Sequence, residues 1–407
     1  MLHAAFGIRR ALRVSGNNRH GQLLARNALH LEVNPRLSAK NGNAGTATRI
    51  CAHHWRHAAG EESASNKLAV VAAVAAITAL ATRNTMCEML EDASSDDDSV
   101  VRRGNCNLCA SHGNSDNMSV YFDAEYEPKK LLGCGTFGVV MQCVHKQTGR
   151  VAAVKMVQEI AGNREEVERE KTALERLERA GGHASVVGYE GSYFHNDFHY
   201  IVLEYVSGTS LHSFMERHRT LNATWSLQLV AQLASALLFM HQQDIIHRDL
   251  KPENIMTLVN DNGTRRGKPN EHVTLKIIDF GCAGRASQPE SADKARTTLS
   301  GTRCYWPPEV LQRHDMTTAM DMWALGCILY ILISGRHPFD LTGCSAEDEI
   351  IRRIKDESVS FLLPVWHDVP AETKELIRGL LVKNPRRRLS ADQVLAHPAI
   401  AAAAKEL

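Results

Sequence analysis

Apolar and polar positions change their rhythm near Tyr121. Beyond that point, glycine punctuation and β-branched runs give way to long amphipathic stretches that continue almost to the C-terminus. Val139, Val140, Met141, Cys143 and Val144 form a β-rich run directly after a glycine cluster, which predicts a hairpin. Val151 to Lys155 reads as a short apolar strand ending in a cation, and His199 to Val206 as a buried strand running into a linker. Between them, about Arg164 to Arg179 predicts a helix with a solvated, charged face. Val273 to Ile278 is a further apolar strand. No period of 20 to 50 residues recurs, which sets repeat architectures aside.

Upstream of Tyr121 the pattern is of another kind. Residues 1–60 carry eight Arg, one Lys and six His against the single acidic residue Glu32, the composition of a transit-like leader. Mitochondrial import is therefore expected, with a cytoplasmic chain as the alternative. Leu68 to Ala81 is uncharged but only 14 residues long, short of the roughly 20 that a membrane span needs. It remains a candidate membrane anchor. Glu88 to Asp98 holds six acidic residues and no basic one, as a solvated linker does. The expected division is 1–66 leader, 67–83 apolar segment, 84–120 linker and 121–400 catalytic domain.

Composition narrows the functional classes. The chain has 407 residues and a net charge of +1, so no global field marks nucleic acid as a partner. Its ten cysteines are irregularly spaced, consistent with free thiols in a reducing compartment. Cys106, Cys109 and His112 have zinc-ligand spacing, but no second half of a zinc module follows.

Several short motifs carry chemistry. Gly133, Gly135, Gly138 and Val140 form Gly-x-Gly-x-x-Gly-x-Val. A Rossmann unit would open a helix after the third glycine, whereas here a strand follows, which disfavours a dinucleotide-dependent oxidoreductase. A glycine hairpin instead lets backbone N–H groups approach a nucleotide's phosphates. His247-Arg248-Asp249-Leu250-Lys251-Pro252-Glu253-Asn254 is the most specific octet in the chain, and Asp279-Phe280-Gly281 follows the apolar strand. Gly301 to Glu309, Asp321 to Gly326 and Asn384 to Leu389 come after these in order.

Together these motifs, spread over about Tyr126 to Pro398, resemble those of a eukaryotic Ser/Thr protein kinase. The finer likeness is to the calcium/calmodulin-dependent kinase group, through Leu329 to Phe339 and Leu376 to Pro385; Polo-like kinases are similar there. The resemblance implies an α+β, bilobal fold, with a β-rich N-lobe over 121–204 and a helical C-lobe over 205–400, behind a largely disordered N-terminal extension. It implies ATP and Mg2+ as cofactors, and protein substrates bearing Ser or Thr. A pseudokinase scaffold on the same fold is the alternative.

Roles follow position by position from the resemblance. Lys155 grips the α- and β-phosphates and pairs with Glu170, with Glu166 in reserve. Val140, Ala153 and the gatekeeper Leu203 line the nucleotide pocket, and the backbone of Glu204 and Val206 holds adenine. Asp249 accepts the hydroxyl proton, Lys251 stabilises the transferring group, and Asn254 and Asp279 bind magnesium. Thr302 contacts the catalytic Asp. Arg248 awaits a phosphate, placed first at Thr298 by an upstream kinase or by autophosphorylation. Glu309 and Arg388 form a buried pair, and Asp321 braces the catalytic loop. Pro308 stands where Ala is customary. The chain stops nine residues after Pro398, so calmodulin control is not expected.

Overall fold

The computed structural model describes residues 122–135, 138–160, 163–259, 273–288 and 303–406. The leader, the apolar segment, the linker, the Cys106 cluster, Thr298 and Thr302 lie outside the described residues. So do residues 260–270.

The β-rich part is a five-stranded antiparallel sheet ordered β1-β2-β3-β5-β4. Its strands are β1 (Tyr126–Gly135), β2 (Gly138–His145), β3 (Val151–Gln158), β4 (Tyr189–His195) and β5 (Phe198–Glu204). The predicted hairpin is β1-β2, with Gly135 opposite Gly138. Gly138 has φ +122°, and a Cβ there would stand 2.3 Å from the Met156 carbonyl oxygen, so no other residue fits. Alternation sorts the faces. Met141, Cys143, Val154, Tyr200 and Val202 point to the outer face, where Phe122, from the helical turn Phe122–Glu125, covers them at 1% exposure.

The other face receives helix α1 (Arg164–Arg179). Its buried positions are Val167, Glu170, Ala173, Leu174 and Leu177, a single stripe at helical spacing. Glu170 is thus the one carboxylate on the apolar face, while Glu165 and Glu168 are exposed and Glu166 is half-buried. Leu174 and Leu177 belong to a core that continues into the helical lobe through Leu233, Ile277 and Trp323. Ser185 to Val187 reinforce that joint: Val187 N–H donates to the Ile277 carbonyl (3.0 Å), and Ile277 N–H to that of Ser185 (2.9 Å).

Within the helical lobe, β6 (Thr209–Ser210) precedes α2 (Leu211–His218) and α3 (Ala223–Gln242). Asn222 caps α3, its side-chain oxygen accepting from Trp225 N–H at 2.8 Å. The strands β7 (Ile245–Ile246), β8 (Ile255–Val259), β9 (Val273–Ile277) and β10 (Gly284–Arg285) follow. They build two small sheets, β6-β8-β9 and β7-β10, which carry the loops of chemical interest. Helix α4 (Ala319–Ser334) is apolar all round because it runs through the core, with Trp323, Leu325 and Ile328 at 0% exposure. Behind it lie α5 (Glu347–Asp356) and α6 (Ala371–Leu380).

One ion pair fastens the C-terminal motif to this lobe. Arg388 donates from Nη1 to Glu309 Oε1 (2.6 Å) and from Nη2 to Glu309 Oε2 (3.0 Å), and its guanidinium lies over the Trp323 ring. Both side chains are buried, and Arg388 also donates to the carbonyls of Ala319 and Val382, so its charge is well satisfied. Removing one partner strands the other. Arg388→Ala is therefore expected to cost about 3–5 kcal/mol in urea unfolding. The Glu309→Ala/Arg388→Ala double variant should lose clearly less than the sum of the two; full additivity would contradict the pairing.

Candidate active site

Three elements bring their charges to one point. Lys155 lies on β3, opposite Ile201 of β5, and its Nζ donates to Glu170 Oε1 (2.7 Å), Glu170 Oε2 (2.9 Å) and Asp279 Oδ1 (3.0 Å). Lys155 and Glu170 are buried, while the Asp279 side chain keeps about a third of its surface. Burial works against the ammonium, but Asp279 and Glu170 together hold its pKa above the usual lysine range. Burial likewise opposes ionisation of Asp279, yet Lys155 dominates and its carboxyl is held down at about 2. Glu170 is pushed up by burial, with Lys155 opposing.

Asp279 and Arg248 both take left-handed backbone conformations, φ 61° and 68°, uncommon for residues with a Cβ. Surrounding contacts hold each of them. His247 and Arg248 donate their backbone N–H groups to Asp321 Oδ2 (2.9 Å) and Oδ1 (3.0 Å), so this buried carboxylate fixes the turn before Asp249. His241 Nε2 adds a third contact at 3.0 Å. The Asp249 N–H donates to His247 Nδ1 (3.3 Å), which leaves the proton on Nε2 for the Ile278 carbonyl (3.1 Å). Ile278 N–H in turn donates to the Asn254 carbonyl (2.9 Å). The loop bearing Asp249 and the turn bearing Asp279 are thereby stitched together through one residue.

At the centre of that loop, Asp249 Oδ2 accepts from Lys251 Nζ (2.7 Å) and Asn254 Nδ2 (2.9 Å). Asn254 Nδ2 also donates to the Asp249 carbonyl (2.9 Å), an orientation that leaves its amide oxygen available as a neutral donor to a cation. Arg248 is packed tightly against Gly284: a Cβ there would stand 1.9 Å from the guanidinium carbon. On the sheet side, Ala153 is paired with Leu203 between β3 and β5, and Val140 with Lys155 between β2 and β3. Glu204 ends β5, and Val206 lies two residues on, where its carbonyl accepts from Gly208 N–H (3.0 Å). Lys155, Glu170, Asp249, Lys251, Asn254 and Asp279 therefore form one connected set. Thr302 and Thr298 are not among the described residues.

Sequence reasoning missed several partners. Glu204 was singled out for its backbone, yet its carboxylate accepts from Lys276 Nζ (2.9 Å) and Gly188 N–H (3.1 Å), pinning the end of β5 to β9. His241 and Gly284 carry no motif and were not noticed. His337 lies within the Leu329 to Phe339 run, but that run does not reveal its contacts: its Nδ1 accepts from Phe339 N–H (3.3 Å) and its Nε2 donates to the Cys304 carbonyl (3.1 Å), fixing the Arg303–Tyr305 turn.

The connected motifs match a known family. Its model, described as protein kinase domain, matches residues 126–400. The chain belongs to the protein kinase family. A serine/threonine-protein kinase, PKZ1 of Phytophthora infestans, is 39% identical over 284 residues, 67% of this chain and 70% of that protein. Serine/threonine-protein kinase DCLK3 of Homo sapiens is 32% identical over 285 residues, 70% of this chain and 41% of the relative. The calcium/calmodulin-dependent protein kinase type II of Caenorhabditis elegans is 32% identical over 285 residues, 69% and 37% respectively. This kinase is thus a protein serine/threonine kinase related to the calcium/calmodulin-dependent group. Its bilobal fold, β-sheet lobe before helical lobe, agrees with the sequence expectation.

His337 gives this kinase a pH signature. Desolvation lowers the ring's pKa to about 4, so it stays neutral in the folded state and takes a proton in the unfolded chain below about 6.5. Its contribution is complete above 6.5 and is lost as pH falls toward 4. Between pH 7.5 and 5 the wild type should lose about 2 kcal/mol more stability than His337→Gln. An identical pH dependence in the two proteins would contradict this.

Proposed function

We propose that this kinase transfers the γ-phosphoryl group of ATP, with magnesium, to Ser or Thr hydroxyls of proteins, using the connected set described above. The observation that carries the reading is the Lys155 ammonium held between Glu170 and Asp279, on the same stitched backbone as Asp249 and Asn254. An ammonium held in place by Glu170 supplies positive charge to the α- and β-phosphates, and the hydrogen bond it can give up to reach them is the one to Asp279. Val140, Ala153 and Leu203 offer an apolar slot for adenine, and the backbone of Glu204 and Val206 its hydrogen bonds.

The donor set suits magnesium. Asp279, its carboxyl held down at about 2, and Asn254, through its amide oxygen, are hard donors and would be the residues that hold the ion. When bound, magnesium neutralises the charge that builds up on the phosphates. Asp249, oriented by Asn254 and the His247 contact, receives the proton of the acceptor hydroxyl at its carboxylate. Lys251, beside it, stabilises the transferring group. Burial alone would lower the Lys251 pKa, but Asp249 raises it, so the side chain stays cationic. Thr302 steadies Asp249, and Arg248 receives the phosphate of an activated Thr298. Every one of these positions is filled by a chemically competent side chain, and no observation favours a scaffold without activity.

The test is ATP-dependent phosphorylation of a generic basic protein. Lys155→Met and Asp279→Asn should abolish transfer, and Asp249→Asn should lower kcat by about 10²–10⁴ with little change in the KM for ATP. Wild-type rates in all three variants would overturn the assignment.

A further inference from the structure

Asp244, in the two-residue link between α3 and β7, takes a left-handed backbone conformation (φ 61°) and joins that link to α1 and to the segment after Asp279. Its Oδ1 accepts from Ser287 N–H (2.6 Å), and its Oδ2 from Ser287 Oγ–H (2.6 Å) and Arg285 Nε (2.9 Å). Its carbonyl accepts from Ala286 N–H (3.2 Å). Arg176, near the C-terminal end of the helix that carries Glu170, stands 3.8 Å from the same carboxylate. The segment leaving Asp279-Phe280-Gly281 is also held by the two-residue β7-β10 pairing, Gly284 with Ile246 and Arg285 with Ile245, and by Cys282 and Ala286, which pack in a small cluster with Ile246 and Trp306. So short a ladder does little to fix the chain.

Ser287 is exposed, and an arginine stands two residues before it. We propose that Ser287 is a phosphoryl acceptor whose modification unties this knot and lowers activity. The inference rests on the function proposed above, since a second molecule of the kinase supplies the reaction. The γ-phosphorus of ATP forms a bond to Ser287 Oγ, the bond from that phosphorus to the β,γ-bridging oxygen breaks, and ADP leaves with the electron pair. The hydroxyl proton passes to Asp249 of the catalysing molecule.

The consequence follows from donor and charge inventory. A phosphoserine has no Oγ–H to donate and carries nearly two negative charges, so it repels the Asp244 carboxylate it formerly bonded. If the phosphate draws in Arg285 or Arg176, Asp244 loses those cations as well. Either way the carboxylate gives up its hold on Arg285 and Ser287, and the segment that leaves the Asp279 turn loses this tie. Asp244→Ala should imitate modification, because it removes the same hold by another route.

Incubation of the full chain with magnesium and ATP, followed by phosphosite mass spectrometry and peptide-kinase assays, tests the idea. Phosphate is expected at Ser287 in the wild type, and in Lys155→Met mixed with wild type, but not in Lys155→Met alone. Ser287→Asp should lower kcat by about tenfold, whereas Ser287→Ala, which keeps the backbone N–H bond, should stay within about twofold. In the Asp244→Ala background, Ser287→Asp should cause no further loss. Wild type that phosphorylates its substrate but never carries phosphate at Ser287, equal activity of the Asp and Ala variants, or an additive loss beside Asp244→Ala would each overturn the switch. Absence of any transfer by unmodified wild type would instead remove the underlying activity, and the switch with it. Melting curves of each variant separate loss of the knot from general unfolding, which would lower Tm in Ser287→Ala as well.

Discussion

A single buried ammonium faces two carboxylates that reach it from different lobes, and much of the domain exists to make that contact tolerable. Desolvating three charges costs several kcal/mol per ion, an outlay recovered only when every charge is paired at close range. Lys155 meets that condition with three hydrogen bonds of 2.7 to 3.0 Å. If α1 were to rotate by one residue, Glu170 would leave the stripe formed by Val167, Leu174 and Leu177. Lys155 would then have to balance Asp279 alone. Registry of the sheet, rotation of α1 and closeness of the two lobes are thus set by one demand.

The helical lobe meets a parallel demand with buried polar groups that hold backbone. Asp321, at 1% exposure on an otherwise apolar helix, uses both oxygens to fix two successive N–H groups. That supports the left-handed turn at Arg248, which no ordinary strand or helix would maintain. His247 joins the same turn to the strand before Asp279. Rigid side-chain pins therefore convert a stable core into a precise arrangement of acids around a cleft, the kind of preorganisation that phosphoryl transfer requires.

Much of this was legible in the residue order, for a physical reason. Hairpin, strands and helix α1 have strong periodic signatures, and the helix runs over Arg164–Arg179 as the pattern predicts. Glu170 was chosen over Glu166 through the kinase resemblance, and its place on the apolar stripe with Leu174 and Leu177 gives the physical reason: a buried carboxylate must have a partner. What escaped notice lacked local pattern. Glu204 and Lys276 lie 72 positions apart, and His337 meets Cys304 across 33 residues of chain. Asp244 reaches Ser287 over 43. Such pairings depend on how lobes pack, and no spacing along the chain encodes them. Gly284 is a similar case, since only the neighbouring Arg248 guanidinium explains why a Cβ is excluded.

The most direct measurement is a crystal structure of the full chain with magnesium and a non-hydrolysable ATP analogue. The Lys155 ammonium is expected on the α- and β-phosphates while still paired with Glu170, with Asp279 and Asn254 on the metal. The Asp249 carboxylate should then open toward the γ-phosphate. Nucleotide bound elsewhere, or Asp249 and Asp279 facing separate cavities with Lys155 outside both, would contradict it.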